Sequence, residues 1–246
     1  MLAELVIAHD ERAVVRIGDA YVKADVNTAR LDREVSALRS VEVPRPEVLW
    51  HRRGPVSLLA LSEVSGVPLA SLGAPSPHRE AVWAMAGEVA RRVHDEQVPE
   101  SLAAPSEYRS EDLDRLEDWL LSRRLADPQL ISEHVDRARA VRNSATNDCL
   151  IHGDFQPAHV LVDEGQIRGV IDWGDAGTGD PLYDLAVLTV GHSEYLEAVV
   201  GGYGGSVDRD RINGYWSWRR LGSIRWMIEH GFDATDDIEG LTVLGS

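Results

Sequence analysis

The sequence predicts an α+β protein with two lobes: a small N-terminal antiparallel sheet carrying one helix, and a larger, mainly helical C-terminal lobe. Three observations support this architecture. Short β-type runs dominate residues 1–64, a stretch rich in Gly, Pro and Ser follows at 65–78, and nearly every later segment repeats its apolar residues at helical spacing. The 246 residues are enough for two modest domains, which we expect at 1–64 and 65–246.

The N-terminal lobe is predicted from the order of its segments. LAELVIA and RAVVRI, separated by HDE, predict a β-hairpin, and YVKAD predicts a third strand with Tyr21 and Lys23 on one face and Val22 on the other. NTARLDREVSALRSV has helical spacing, with Asn27 or Thr28 as its N-cap. PRPEVLW is extended by its prolines and VSLLALSEV is typical of a buried strand. The resulting order is β-β-β-α-β-β.

The C-terminal lobe is predicted to consist of helices around one β-hairpin. The hairpin has the arms VLVD and IRGVID joined by DEGQ, and a short strand, CLI, precedes it. The tail at 232–246 is acidic and is expected to be loose. The predicted helices lie at 79–97, 110–127, 129–144, 180–191, 194–205 and 210–231.

Composition and charge exclude several classes of function. The net charge of −16 disfavours nucleic acids and anionic membranes as partners and favours cations. The single cysteine, Cys149, excludes an internal disulfide and a Cys-based zinc site. No apolar run approaches the ~18 residues of a membrane span, and the N-terminus does not resemble a signal peptide. We therefore expect a cytoplasmic protein that is a monomer or a dimer.

The basic residues are distributed unusually. Of the 25 residues that are Lys or Arg, only Lys23 is a lysine. Lysine is a compact point charge, whereas arginine is a broad fork, so a lone lysine indicates a position that arginine does not serve. Binding a phosphate in a tight cleft is one such role.

The segment LIHGDFQPAHVLVDEGQIRGVIDW, residues 150–173, is mostly apolar yet holds His152, Asp154, His159 and Asp172. Unpaired charges are costly to bury, so these groups face solvent or bind something. Antiparallel pairing of the two arms brings His159 beside Asp172, with Asp154 across the loop. An adjacent carboxylate and imidazole predict a divalent-metal site, and the remaining carboxylate is free to handle a proton.

This arrangement fits phosphoryl transfer, in which positioning and charge neutralisation do most of the work. Lys23 on the small lobe would hold the phosphates. Glu34, on the helix that follows, would pair with Lys23 and fix its aim. The nucleotide would lie between the lobes with its base near LSEV.

Together these motifs resemble the aminoglycoside phosphotransferase family, a branch of the kinase-like fold. HGD at 152–154, His159 five residues after the aspartate, and IDW at 171–173 match the family pattern. GDPLYDLAVL is similar to the segment that follows. Upstream, YVKAD matches the strand lysine, REVSALRSV the glutamate-bearing helix and EVSGVPL the linker. The resemblance covers nearly the whole chain.

The resemblance implies a bilobal, protein-kinase-like fold and an enzyme, a small-molecule O-phosphotransferase. It would transfer the γ-phosphate of ATP or GTP to a hydroxyl of an antibiotic, of aminoglycoside or macrolide type, or of a related metabolite. Asp154 would be the catalytic base, and Asp172 and His159 would hold Mg²⁺.

The resemblance also implies a nucleotide site. Lys23, supported by Glu34, would hold the phosphates, and Glu63 and Val64 would offer backbone groups to the base.

Two departures from the family pattern stand out. His159 replaces the usual asparagine, and Mg²⁺ prefers oxygen ligands. The macrolide phosphotransferase branch carries histidine there, which favours that branch and GTP as donor. The segment VIAHDERAVV contains no glycine where protein kinases have a glycine-rich phosphate loop, so fewer backbone donors would reach the phosphates.

Two alternatives remain open. A metal-dependent phosphohydrolase would use His152, Asp154, His159 and Asp172 as ligands to activate water. A non-catalytic relative would bind nucleotide and regulate a partner. We otherwise expect His152 to be structural and Asp184 to cap or brace a helix.

Overall fold

The computed structural model describes residues 3–9, 11–73, 77–144 and 148–243. The N-terminal lobe is an antiparallel sheet of five strands in the order β1-β2-β3-β5-β4, with one helix packed on it. This confirms the predicted order of elements. Those elements are β1 (Ala3–His9), β2 (Arg12–Ile17), β3 (Ala20–Asp25), α1 (Thr28–Ser40), β4 (Val48–Arg52) and β5 (Ser57–Ser62).

Helix α1 sets the geometry of the small lobe. Asn27 is its N-cap, and the Asn27 side chain accepts a hydrogen bond from the Arg30 N–H at 3.4 Å. Leu31 and Leu38 of the helix share the buried core with Leu59 of β5. Because Leu59 is paired with Lys23 of β3, burial of the helix against the sheet brings α1 over the lysine.

The C-terminal lobe is mainly helical, as predicted. Two small sheets lie within it, one in the order β6-β8-β9 and one pairing β7 with β10. Its strands are β6 (Val67–Pro68), β7 (Cys149–Ile151), β8 (Val160–Asp163), β9 (Gln166–Val170) and β10 (Gly177–Gly179). Its helices are α2 (Pro77–His94), α3 (Leu113–Arg123), α4 (Pro128–Arg142), α5 (Pro181–Thr189), α6 (Leu196–Tyr203), α7 (Arg209–Glu229) and α8 (Thr235–Val243).

Close helix contacts make the large lobe rigid beneath the hairpin. Helix α2 packs on α6, where a Cβ at Gly202 would lie 1.8 Å from the Ala84 carbonyl oxygen, so only glycine fits there. Trp83, Trp173 and Tyr215 are fully buried in the same core.

The expectation of a loose tail is wrong over the residues that the structure describes. Residues 235–243 form α8, which packs on α4 and α7 and buries Leu241. The buried His134 ring lies 2.9 Å through Nε2 from the Leu241 carbonyl oxygen. Asp236 and Asp237 occupy the first turn of α8, where negative charge is favourable. The acids that suggested a solvated tail therefore begin a helix.

The proposed lobe boundary, between 64 and 65, falls in the segment joining β5 to β6. Strand β6 already pairs with β8 of the large lobe. Among the described residues, none of the helices has the length and apolarity needed to cross a membrane.

Candidate active site between the lobes

A charged cluster joins the two lobes across the cleft. Lys23 Nζ lies 2.5 Å from Glu34 Oε1 and 3.0 Å from Asp172 Oδ1. The Glu34 side chain is 1% exposed and that of Lys23 8%. The expected contact between Lys23 and Glu34 is present, and the lysine reaches the end of the hairpin in the other lobe.

A second cation meets Asp172 from the small lobe. Arg12, the first residue of β2, donates from Nη2 to Asp172 Oδ1 at 2.8 Å. Burial raises the pKa of the Asp172 carboxyl, but the charges of Lys23 and Arg12 outweigh it and hold that pKa well below the usual range. Asp172 is therefore ionised at neutral pH. It also has a φ of 64°, in the left-handed region that a non-glycine residue adopts at some cost.

The loop between β7 and β8 is held by a buried carboxylate. Asp184 of α5 accepts the backbone N–H of His152 at 2.7 Å and of Gly153 at 3.0 Å. His94 Nε2 lies 3.1 Å from the same carboxylate. Gly153 has a φ of 83°, and a Cβ there would lie 2.2 Å from the Asp175 carbonyl oxygen, so glycine is required. Asp184, in the first turn of α5, thus braces this loop.

His152 has a structural environment, as expected. It is fully buried, its Nδ1 accepts the Asp154 N–H at 3.2 Å, and its Nε2 donates to the Ile171 carbonyl at 3.0 Å. Burial lowers the pKa of this imidazole, which keeps it neutral. Both ring nitrogens are occupied, so His152 has no lone pair for a metal.

Asp154 lies in the loop with both carboxylate oxygens engaged. Oδ1 accepts from Arg219 Nη2 at 2.7 Å, and Oδ2 accepts from Gln156 Nε2 at 3.1 Å. Burial raises the pKa of Asp154, but Arg219 and the neighbouring imidazoles of His159 and His152 outweigh it, so the pKa is below its ordinary value.

His159 links the two aspartates, as predicted from the hairpin. Its Nδ1 donates to the Asp154 backbone carbonyl at 2.9 Å and lies 3.5 Å from Asp154 Oδ2. Its Nε2 lies 3.8 Å from Asp172 Oδ2 and accepts from Gln156 at 3.1 Å. The bond from Nδ1 to a carbonyl fixes the tautomer, so the Nε2 lone pair is the one that accepts from Gln156, and a metal ion would use it only once the Gln156 amide is displaced.

The donor set fits a weakly bound divalent cation. Within the described ranges, no group of three or more His, Cys, Asp or Glu side chains is arranged around a common point. Mg²⁺ is usually held by one or two protein carboxylates together with substrate phosphates and waters. Asp172 supplies such a carboxylate, and His159 Nε2, 3.8 Å from Asp172 Oδ2, would add one nitrogen donor once the Gln156 amide is displaced.

Glu63 and Val64 lie where the chain passes from one lobe to the other. The Glu63 side chain pairs with Arg16 at 2.7 Å. The Glu63 N–H donates to the Asp19 carbonyl at 2.7 Å, so the carbonyl of Glu63, not its N–H, is the group left for a ligand. Val64 packs against Gly169 of β9, where a Cβ would lie 2.8 Å from Val64 Cγ1.

A cavity of about 240 Å³ adjoins the loop at residues 156–158. Its apolar wall includes Val187 and Val190. Its polar wall is formed by Gln156, His192, Arg219, Arg220, Ser223 and Asp237.

Arg12 and Arg219 are the contact residues that sequence reasoning missed. Neither lies in a motif, and both belong to a chain with 24 arginines, which gives no signal for any one of them. Trp216 and Arg220 lie on the same helix as Arg219. Trp216 is buried and donates from Nε1 to Thr189 at 3.1 Å, whereas Arg220 does line the cavity.

The small lobe carries a lysine that pairs with a glutamate of the same lobe and with an aspartate of the hairpin in the large lobe. This arrangement defines a kinase-like phosphotransferase. Residues 4–221 match the family described as "Phosphotransferase enzyme family", and the chain belongs to that family.

Individual relatives are distant. The aminoglycoside 3'-phosphotransferase of Enterococcus faecalis is 21% identical over 227 residues, which cover 85% of this chain and 84% of that protein. Other curated matches are local and span 13%, 29% and 11% of the relatives' lengths.

Solved structures share the fold. A ternary complex of a thermostable mutant of aminoglycoside phosphotransferase APH(4)-Ia with AMP-PNP and hygromycin B gives a TM-score of 0.70 at 19% identity, over 98% of this chain and 92% of that chain. The APH(3'')-Id enzyme of Streptomyces rimosus gives 0.66 at 24% identity, over 89% and 92% of the two chains.

Proposed function

We propose that this protein is a nucleotide-dependent small-molecule O-phosphotransferase. It transfers the γ-phosphate of ATP, or of GTP, to a hydroxyl of an antibiotic or a related metabolite. The observation that carries the proposal is the 3.0 Å contact between Lys23 and Asp172, which links the lobes beside Asp154. The solved relative that binds AMP-PNP and hygromycin B supports a nucleotide donor and a small-molecule acceptor.

The phosphates are held by Lys23 and Arg12. Both cations now pair with Asp172 in the cleft. Glu34 holds Lys23 from behind, so the ammonium group remains aimed at the cleft when a triphosphate enters. Arg12 compensates with side-chain charge for the backbone donors that a glycine-rich loop would supply. The segment of Glu63 and Val64 lies along the nucleotide base.

Asp172 and His159 would hold Mg²⁺, together with the phosphates. When bound, the ion neutralises charge on the β- and γ-phosphates. The Nδ1 bond of His159 to the Asp154 carbonyl keeps its ring in position for this role.

Asp154 orients the acceptor hydroxyl and takes its proton. The hydroxyl oxygen forms a bond to the γ-phosphorus while the bond from that phosphorus to the bridging oxygen breaks, and the nucleoside diphosphate leaves. The depressed pKa of Asp154 keeps the carboxylate ionised before the reaction. Because a low pKa makes it a weak base, we expect its main effect to be orientation, with late proton transfer.

The test uses the full chain with Mg²⁺ and either ATP or GTP. Aminoglycosides, macrolides and small hydroxylated metabolites are incubated separately, and phosphate transfer is followed by mass spectrometry. Phosphorylated product is expected only with acceptor, nucleotide and Mg²⁺ together. If the protein neither binds a nucleotide nor transfers phosphate to any acceptor, the proposal fails.

The alternatives are less well supported. A four-ligand hydrolase site requires His152, whose ring nitrogens are both bonded to the backbone. A non-catalytic nucleotide-binding role is favoured by one observation, the engagement of both Asp154 oxygens by Arg219 and Gln156. Nucleotide binding without transfer to any acceptor would favour that role.

A further inference from the structure

The cavity lined by Arg219, the partner of Asp154, is also lined by a buried cation, Arg220, which pairs with a single carboxylate in the described part of the chain. Arg220 is 7% exposed, and its Nη1 lies 3.3 Å from Asp237 Oδ1 and 3.4 Å from the Asp237 carbonyl oxygen. Its Nε has no hydrogen-bond partner among the described residues. Asp237 also accepts a hydrogen bond from Ser223 at 3.0 Å. Among the described residues, Arg220 therefore has one ion-pair partner, and it shares that carboxylate with Ser223.

A second guanidinium in the same wall loses the charge of one partner during the proposed reaction. Arg219 pairs with Asp154 at 2.7 Å. When Asp154 takes the acceptor proton, the charge of the carboxylate paired with Arg219 disappears, and Asp175 and the Tyr183 hydroxyl remain as partners of that guanidinium. At that stage the described lining of the cavity holds two guanidiniums and one carboxylate, Asp237. Loss of a counter-charge beside a partly buried cation is costly, so an anion placed there would be bound more tightly as the reaction proceeds.

The size and charge of the cavity disfavour a polycationic acceptor. Its volume of about 240 Å³ is smaller than the ~300–1,000 Å³ typical of sites for drug-sized ligands. Ammonium groups of a ligand in this cavity would face Arg219 and Arg220 at short range. Such like-charge contacts disfavour binding of that ligand.

We infer that the acceptor is a small hydroxy compound that carries a carboxylate or a phosphate, which Arg220 and Arg219 bind while its hydroxyl faces Asp154. This inference rests on the proposed function and narrows its acceptor class. The paired guanidiniums suit either anion, because their donor forks match both carboxylate and phosphate geometry.

Kinetics with matched acceptors test the inference. The full chain with Mg²⁺ and ATP is assayed on glycerate, glycerol 3-phosphate, glycerol and serinol, which carry a carboxylate, a phosphate, no charge and an ammonium group, and on hygromycin B. We expect kcat/KM for at least one anion to exceed that for glycerol by about 10- to 100-fold, the value of a hydrogen bond to a charged group. The two anions distinguish carboxylate from phosphate recognition.

Variants of helix α7 link the preference to Arg220. In Arg220→Gln the ratio of kcat/KM between the preferred anion and glycerol should fall to about one. Arg225→Gln is the matched control, because Arg225 lies on the same helix and pairs with Glu111 at 2.9 Å. If Arg220→Gln does not fold, Arg220→Lys keeps the charge but not the fork, and should retain only part of the preference.

Binding provides a second measurement. With Mg²⁺ and AMP-PNP present, the preferred anion should raise the Tm of the wild type and of Arg225→Gln, but not that of Arg220→Gln.

Equal or better turnover of serinol or hygromycin B, an unchanged ratio in Arg220→Gln, or no effect of either anion on turnover and Tm would overturn the inference. Phosphate transfer confined to cationic acceptors would overturn the inference and leave the proposed function intact. Loss of both nucleotide binding and all transfer would overturn both.

Discussion

Asp154 and Asp172 lie at the two ends of one hairpin, but their cationic partners come from different lobes. Asp172 meets Lys23 and Arg12 of the small lobe, whereas Asp154 meets Arg219 of the large lobe. Movement of the lobes therefore changes the surroundings of Asp172 and leaves those of Asp154 intact. Entering phosphates would compete for the cations of Asp172, and an entering acceptor would compete for the cation of Asp154. Under the proposed function, Asp172 would serve nucleotide binding and Asp154 would serve the acceptor.

The largest expected effect separates the two carboxylates by kinetics. Asp154→Asn should lower kcat by about 10²- to 10⁴-fold, because it removes acid–base help and hydroxyl orientation. The Kd for nucleotide, measured by calorimetry, should stay unchanged, because Asp154 does not contact Lys23 or Arg12 in the structure. Asp163→Asn, at an exposed ion pair on β8, is the control. A kcat within threefold of wild type, about 0.65 kcal/mol of barrier, would remove Asp154 from catalysis.

The next effect concerns stability on the nucleotide side. Lys23→Met leaves Glu34 buried without its partner and should lower the free energy of unfolding by about 3–5 kcal/mol. The double variant Lys23→Met/Glu34→Leu should recover most of that stability in urea unfolding, but not phosphate transfer. Full activity of the double variant would show that the pair does not serve the nucleotide.

The nucleotide side was largely predictable because its geometry follows from short stretches of chain. One strand and the helix after it bring Lys23 to Glu34, and antiparallel pairing of a hairpin brings His159 to Asp172. The acceptor side depends on tertiary packing. Arg219 reaches Asp154 across 65 residues of sequence, and α8 supplies Asp237 from a segment whose acids suggested a loose tail.

Arg12 provides a smaller test of the nucleotide side. Arg12→Gln should raise KM for ATP by about tenfold or more, since a hydrogen bond to a charged group contributes about 1.5–3 kcal/mol. Arg53→Gln is the control, because Arg53 lies in the same lobe but pairs with Asp32 at an exposed position. Such an exposed pair contributes about 0–1 kcal/mol. Equal KM values for the two variants would mean that Arg12 does not touch the phosphates.

The smallest expected effect is a shift in pH dependence on the acceptor side. The pKa of Asp154 is depressed, so the stability its charge contributes is present above the unfolded value of about 3.9 and is lost as pH falls through the folded pKa. Arg219→Gln leaves burial as the main influence and raises that pKa. The acid limb of kcat/KM should therefore move to higher pH, and the Tm difference between wild type and variant should narrow as pH falls below about 3.9. Arg225→Gln controls for the loss of a cation from α7. If the acid limb of kcat/KM stays at the same pH in Arg219→Gln, then Arg219 does not set the ionisation of Asp154. Asp154 and Asp172 would then differ in their position on the hairpin but not in how a neighbouring cation controls their charge.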